Sequence, residues 1–243
     1  CEYGSLRSFM KKPENEMTNA FKLKAIYDIA HGMFYLHQND IIHRDLKPDN
    51  VLVYSKNVED PVCVKVTDFG TSGVFVDSSN KLSNKDVGTP VYMAPEIHQT
   101  NQITPKSDVF SFAICMLEIY LRRNPYNHDS FPDTESVLKF VCAGKRLQVP
   151  DECPVKKLIE MCWSQEADKR PDFRQISMEL RVISGIDNTD TSISDAQTTK
   201  TASPKPVLAM SPKLALKSNT GRYSLTSDLG QTKRKQPQGG VVN

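Results

Sequence analysis

The longest apolar run of this sequence lies within residues 110–121, where Glu118 interrupts it. The run is too short to span a bilayer, which takes about 20 apolar residues. Pro105 stands where a first helical turn would begin, a place that suits proline. The pattern therefore predicts a buried helix from Pro105 to Leu121 in a globular domain, with one face formed by Val109, Phe112, Ala113, Met116, Leu117 and Tyr120.

The other segments alternate between helical and strand-like patterns. Apolar residues recur at spacings of two to four over 19–37 and predict a long helix. Residues 51–54 and the alternating valines of 62–66 predict short strands. Residues 69–104 have no sustained period and are rich in Ser, Asn, Gly and Pro, which predicts a long, functional loop. With shorter helices expected over 135–142, 155–162 and 173–183, the fold class is α+β and mainly helical.

The segment from Ser184 to Asn243 differs in composition from the rest of the chain. Ser, Thr, Asp, Lys, Gln, Pro and Gly dominate it, so it buries too little apolar surface to order itself. We therefore expect a domain over 1–183 and a disordered tail over 184–243. The net charge of the chain is only +2, and the basic residues of the tail indicate a solvated segment, so no nucleic-acid partner is expected.

The six cysteines indicate a reducing compartment. None stands in a C-x-x-C spacing, and Cys115 and Cys162 lie inside apolar helical patterns. This use of cysteine predicts neither disulfides nor a zinc site and favours a cytoplasmic domain. The sequence begins at Cys1 without a signal-peptide pattern, so the true amino terminus is expected to lie upstream. Membrane attachment of the full-length protein stays open.

One short loop contains the residue types that phosphoryl transfer requires. The run from His43 to Asn50 supplies a carboxylate for a hydroxyl proton, oxygen ligands for Mg²⁺ and a cation for the phosphoryl charge. A lone His-Arg-Asp would fit a polar turn equally well, but the complete run His-Arg-Asp-Leu-Lys-Pro-Asp-Asn resembles the catalytic loop of eukaryotic-type protein kinases. By that resemblance Asp45 is the catalytic base, Lys47 contacts the γ-phosphate and Asn50 binds metal.

A second motif lies 23 residues after Asp45, directly behind the alternating strand. Asp68-Phe69-Gly70 resembles the metal-binding triplet of the same family, with Asp68 on the metal and Gly70 as a hinge. The resemblance implies ATP and Mg²⁺ as cofactors, with Mn²⁺ as an alternative metal. It also implies that Leu52 contacts the nucleotide and that the substrates are proteins with serine or threonine.

Two later motifs support the same resemblance. Gly88 to Glu96 is similar to the end of a kinase activation segment. Ser107-Asp108-Val109-Phe110 is similar to the start of the family's central helix, in which Asp108 would bond the backbone around His43 and Arg44. Phe110 stands where the family usually has Trp, and Ala113 where it often has Gly. Both changes keep an apolar or small residue.

The last motif points to one group within the family. Cys162-Trp163 and Arg170-Pro171-x-Phe173 resemble the late part of tyrosine and tyrosine-kinase-like domains, in which Arg170 would pair with Glu96. Lys47 and the Gly-Thr-Pro-Val-Tyr stretch are similar to serine/threonine kinases instead. The resemblance, which runs from Ser5 to about Leu180, therefore implies a tyrosine-kinase-like serine/threonine kinase. Tyrosine or dual specificity stays an alternative.

The resemblance also suggests how the site is switched. Arg44 precedes the base, and in the family such an arginine can bind a phosphate on the activation segment. Candidate phosphorylated residues are Ser78, Ser79 and Ser83. Thr89 is expected instead to contact the catalytic loop and to help distinguish hydroxyl substrates.

The amino-terminal half of such a domain is not evident in the sequence. It contains no G-x-G-x-x-G loop and no Val-Ala-x-Lys strand before the catalytic loop. Residues 1–3 are expected to be the linker just past the interlobe hinge, or Glu2-Tyr3 to be the hinge itself. The chain is then the carboxy-terminal lobe of a kinase, its amino-terminal lobe is a partner in cis, and the fragment alone has little activity. The alternative is a non-catalytic half-kinase that acts as a binding module.

Overall fold

The computed structural model describes residues 2–68, 72–74 and 88–185. Its helices are α1 (Leu6–Lys11), α2 (Asn19–Gln38), α3 (Pro95–Thr100), α4 (Pro105–Leu121), α5 (Thr134–Cys142), α6 (Lys156–Cys162) and α7 (Phe173–Ser184). Its strands are β1 (Ile41–Ile42), β2 (Val51–Val53), β3 (Val64–Val66) and β4 (Gly73–Val74). Short 3-10 turns cover Pro48–Asn50, Pro90–Tyr92 and Ala167–Lys169. The predicted tail lies outside the described residues, apart from its first two.

Helix α4 runs through the centre of the fold. Thr104 and Ser107 form a capping box at its start, Pro105 occupies the first turn, and Arg122 ends the helix in a left-handed conformation. Thirteen consecutive residues, 107–119, are buried. A helix buried on every side is apolar all round, which accounts for the long apolar run. Helices α2 and α6 pack directly against it.

Helix α2 forms the second layer. Thr18 caps its first turn by accepting a hydrogen bond from the backbone N–H of Phe21. One face is buried, while Tyr35 is exposed. The helix packs against α4, α7 and β3, so it joins the helical core to the strands that carry the polar loops.

The strands form two antiparallel pairs within the described residues. Strands β2 and β3 pair with Val51 opposite Val66, and β1 and β4 pair with Ile41 opposite Val74. The loop from His43 to Asn50 lies between β1 and β2, so each of its ends is attached to a different sheet. This arrangement holds the loop against the core.

The structure confirms the predicted α+β class and the main helices, but some boundaries differ. The prediction of a loop over 69–104 is wrong for its last part, which contains helix α3 and the turn Pro90–Tyr92. Helix α1 was not predicted. Both helices have six residues, less than two turns, and so show no period. Strand β2 ends at Val53 rather than Tyr54, and β3 begins at Val64 rather than Val62.

The described cysteines, which exclude Cys1, are all free. Burial raises the pKa of the thiols of Cys115 and Cys162. No helix of the described ranges is both long and apolar enough to cross a membrane.

Candidate active site

The loop that carries Asp45 is anchored by Asp108 of α4, whose carboxylate is buried. Its oxygens accept hydrogen bonds from the backbone N–H groups of His43 at 2.8 Å and Arg44 at 2.9 Å. The ring Nε2 of His37 lies 2.9 Å from the same carboxylate. This is the contact that the sequence analysis expected for Asp108. It fixes the loop to the central helix just before Asp45.

His43 connects the same loop to the end of β3. The ring is fully buried, and its Nε2 lies 3.0 Å from the backbone oxygen of Thr67. The backbone N–H of Asp45 donates to His43 Nδ1 at 3.3 Å, so Nδ1 is the acceptor and Nε2 carries the proton that bonds Thr67. Since Thr67 precedes Asp68, His43 links the two motifs that the sequence analysis placed in one site.

Asp45, Lys47, Asn50 and Thr89 form one hydrogen-bonded cluster. Lys47 Nζ lies 2.7 Å from Asp45 Oδ2 and 2.6 Å from Thr89 Oγ1. The Thr89 hydroxyl donates to Asp45 Oδ1 at 2.8 Å. The amide nitrogen of Asn50 donates to the backbone oxygen of Asp45 at 2.8 Å and to its Oδ2 at 3.1 Å. The Asp45 side chain is 11% exposed, so a carboxylate already oriented by three side chains still faces solvent.

The metal-binding prediction rests on Asn50 and Asp68. Because the Asn50 amide nitrogen is held by Asp45, its side-chain oxygen is the atom left for a cation. Asp68 stands in the left-handed region at φ 63°, a conformation that often marks functional sites in residues other than glycine. No cluster of three or more His, Cys, Asp or Glu side chains suited to a metal occurs among the residues described. One carboxylate and one amide oxygen still fit Mg²⁺, which keeps water and substrate phosphate as its other ligands.

Several other predicted site residues lie outside the described ranges. Phe69, Gly70, Ser78, Ser79 and Ser83 are among them. Leu52 is described: it lies half-buried on β2 and forms a backbone bridge to Ser5 at the start of α1.

Arg44 lies between two glycines that make room for it. A side chain on Gly73 would place its Cβ 1.2 Å from Arg44 Nη2, and one on Gly88 would lie 2.8 Å from the Arg44 backbone oxygen. Gly88 also has φ +107°, where side chains are strained. Arg44 itself has φ 71°, and its Nε is buried without a hydrogen-bond partner among the residues that the structure describes. The guanidinium therefore retains a buried donor at the start of the loop that carries Asp45.

Glu96 and Arg170 pair as the sequence analysis expected. The Arg170 side chain is fully buried, and its Nη1 and Nη2 lie 2.7 and 2.9 Å from the two oxygens of Glu96. The pair joins the start of α3 to the segment before α7. Arg170 also donates to the backbone oxygen of Lys106 at 2.9 Å, so the pair is attached to the first turn of α4.

Sequence reasoning missed a second charged cluster. Arg7 of α1 contacts Asp49, Tyr92 and Glu118, which come from the loop that carries Asp45, the turn before α3 and the last turn of α4. The one available signal was the acidic Glu118 inside the apolar run. A charge is rarely buried without a partner, so its position indicated that a cation from elsewhere reaches it.

Comparisons with known proteins agree with the geometry. A family model described as protein tyrosine and serine/threonine kinase matches residues 1–180. The chain is 36% identical over 183 residues to the probable serine/threonine-protein kinase pats1 of Dictyostelium discoideum, which covers 73% of this chain and 6% of that protein.

Two further relatives come from the same organism. An RGS domain-containing serine/threonine-protein kinase A is 35% identical, over 75% of this chain and 16% of its own length. The dual specificity protein kinase shkA is also 35% identical, over 74% of this chain and 34% of its own length. The chain thus spans between 6% and 34% of the length of these relatives.

Proposed function

Because the chain belongs to the family of protein tyrosine and serine/threonine kinases, we propose that it carries the substrate and metal side of an ATP-dependent protein kinase. The observation that carries the proposal is the convergence of Lys47, Asn50 and Thr89 on the carboxylate of Asp45. Phosphoryl transfer needs an oriented carboxylate, a nearby cation and metal ligands, and this cluster provides them in one place.

Asp45 is proposed as the group that orients the substrate hydroxyl and accepts its proton. Both carboxylate oxygens are already held, Oδ1 by Thr89 and Oδ2 by Lys47 and Asn50. A carboxylate fixed in this way loses little freedom when a hydroxyl binds, which favours transfer. The ammonium of Lys47, 2.7 Å from Asp45, is the proposed cation beside the transferred phosphoryl group.

Asn50 and Asp68 are the proposed ligands of Mg²⁺ or Mn²⁺, and Leu52 the proposed contact to the nucleotide. Magnesium ATP supplies the phosphoryl group and the charge that neutralises its oxygens. The chain contributes the side-chain oxygen of Asn50, which is available because the amide nitrogen, and not the oxygen, bonds Asp45. A glycine-rich loop and a strand lysine are missing from these 243 residues, so we propose that an amino-terminal lobe of the full-length protein supplies them in cis.

Serine and threonine are the proposed acceptor residues. Lys47 and the stretch that contains Thr89 resemble serine/threonine kinases, and Lys47 Nζ lies 2.6 Å from Thr89 Oγ1 at the Asp45 carboxylate. Two of the relatives are named serine/threonine kinases, whereas a third is named a dual specificity kinase. Phosphoamino-acid analysis of substrates treated with the full-length protein decides between them.

Arg44 is the proposed receptor for an activating phosphate. Its guanidinium has a buried nitrogen that no described residue bonds, and a phosphoserine supplies strong acceptors. The candidates Ser78, Ser79 and Ser83 stay predictions from the sequence. Mass spectrometry of the active protein, compared with a phosphatase-treated sample, identifies the phosphorylated residue.

The central test replaces Asp45 by asparagine in the full-length protein. The change keeps the shape of the side chain but removes its basicity, so we expect kcat for peptide phosphorylation to fall by about a hundredfold or more. Urea unfolding should remain close to wild type. Asp129→Asn, an exposed change of the same chemistry, is the matched control and should retain activity. Undiminished turnover in Asp45→Asn would contradict the assignment, and an inactive wild type would favour a non-catalytic binding module.

A further inference from the structure

Glu118 is the acidic residue that interrupts the apolar run of α4, and it is 1% exposed. Burying a carboxylate is costly unless a cation and hydrogen bonds compensate it. Both of its oxygens are used: Oε1 by Arg7 Nη1, and Oε2 by Arg7 Nη2 at 3.3 Å and by the Tyr92 hydroxyl at 2.5 Å. The helix therefore retains a buried charge whose partners come from outside the helix.

Arg7 joins three elements through one planar group. Its Nη1 contacts Glu118, its Nη2 also contacts the Tyr92 hydroxyl, and its Nε lies 2.5 Å from Asp49 Oδ2. The Arg7 side chain is only 21% exposed. Lysine cannot reproduce this set of contacts, because its ammonium is a point charge without the rigid fork of a guanidinium.

The two loops that Arg7 holds are the two flanks of the Asp45 cluster. Asp49 lies beside Asn50, whose amide bonds Asp45. Tyr92 ends the turn that starts after Thr89, and its backbone N–H donates to the Thr89 oxygen at 2.9 Å. Asn50 and Thr89 each form a hydrogen bond to the Asp45 carboxylate, so a displacement of either flank would also displace a group that orients Asp45.

Tyr92 is fixed at its backbone as well as at its hydroxyl. Ser111 of α4 donates to the Tyr92 backbone oxygen at 2.8 Å. Burial, and then the charge of Glu118, raises the pKa of Tyr92, so the hydroxyl keeps its proton and donates to Glu118 at neutral pH. The turn Pro90–Tyr92 is thus attached to α4 at two points.

We propose that Arg7 is a positioning residue for phosphoryl transfer, and that it aligns the substrate-side turn with the catalytic loop by holding Tyr92 and Asp49 to Glu118. The proposal rests on the proposed function. A purely structural role, neutralising Glu118, would require only a positive charge at position 7. The two roles differ in whether lysine can replace arginine.

The test compares Arg7→Lys and Tyr92→Phe with Arg122→Lys in the full-length protein. Arg122 is the matched control, because it also ties α4 to the end of α1, through the backbone oxygens of Met10 and Lys12, without touching either flank. With MgATP and a serine/threonine peptide, the first two variants should each lose about tenfold or more in kcat/KM for the peptide. Their KM for ATP should stay within about twofold of wild type, and Arg122→Lys should match wild type.

The double variant Arg7→Lys/Tyr92→Phe separates a shared cluster from independent effects. If both side chains act through the same cluster, kcat/KM of the double variant should be little lower than that of the less active single variant. Three outcomes would each overturn the proposal. The losses in kcat/KM of the two single variants could multiply in the double variant, Arg7→Lys could retain the wild-type kcat/KM, or Arg122→Lys could lose as much as Arg7→Lys. Urea unfolding of every variant ensures that folded proteins are compared.

A second readout does not depend on the proposed function. If the wild-type protein transfers no phosphate, the proposed function fails, and hydrogen exchange in the 243-residue chain then tests separately whether Arg7 holds the two flanks in place. Arg7→Lys should speed exchange at the amides of Tyr92, Met93 and Asn50, which bond within the two flanks, relative to Arg122→Lys. Equal protection in these two variants would refute it.

Discussion

Replacing Glu96 by alanine removes one partner of a buried ion pair and leaves the other. Arg170 would retain the backbone oxygens of Ser164 and Lys106, each 2.9 Å from its guanidinium, and its packing over the ring of Phe110. Breaking a buried pair costs about 3–5 kcal/mol in free energy of unfolding. Since two carbonyl acceptors remain, we expect the lower value, about 3 kcal/mol, for Glu96→Ala.

Replacing Arg170 by alanine should cost more. The change removes the same ion pair, leaves the oxygens of Ser164 and Lys106 without their donor, and opens a space beside Phe110. Glu96 is 16% exposed and can still reach water, so its charge adds less to the penalty. We therefore expect about 5 kcal/mol, the upper end of the range.

Urea unfolding of the 243-residue chain, followed by far-UV circular dichroism, measures both changes. A loss of about 3 kcal/mol corresponds to a fall in Tm of roughly 6–12 °C for a domain of this size. Glu135→Ala is the control, because it breaks the exposed pair with Lys139, in which the side chains are 72% and 74% exposed. That change should cost far less than Glu96→Ala, because an exposed ion pair contributes little to stability. A cost for Glu96→Ala as small as the control's, or larger than that of Arg170→Ala, would refute the reasoning.

Two further predictions concern the buried polar groups. Asp108→Ala leaves the N–H groups of His43 and Arg44 and the ring of His37 without their acceptor. The free energy of unfolding, measured in urea, should therefore fall by about 3 kcal/mol or more. A fall of less than about 1 kcal/mol would contradict this prediction. Burial lowers the pKa of His98 from its ordinary value of 6.5. As the pH falls below about 6.5, the unfolded chain therefore binds a proton at this residue before the folded chain does, and the free energy of unfolding decreases. His98→Gln should therefore lose less stability than wild type between pH 7 and pH 5 in parallel urea titrations; identical pH profiles would argue against this role.

Much of the fold was predictable because its signals are local. Helix α4 matches the predicted bounds because proline and a capping box mark its start and its apolar residues sustain a period. Helix α3 was missed because six residues carry no period and its neighbours are rich in turn-forming residues. The boundaries of short strands differ for a related reason, since pairing across a sheet, rather than propensity, decides where a strand ends.

The sequence by itself determined which residue types stand together in the loop from His43 to Asn50 and in what order the motifs follow. It also identified the family, because the motifs and their order along the chain can be read from the sequence alone. Only the tertiary structure decided which side chains share a hydrogen bond across the fold. Arg7 and Glu118 are separated by 111 positions, and no periodicity relates them. Their contact exists because Glu118, a carboxylate buried on α4, requires a compensating cation, and the packing of α1 places Arg7 within reach of it.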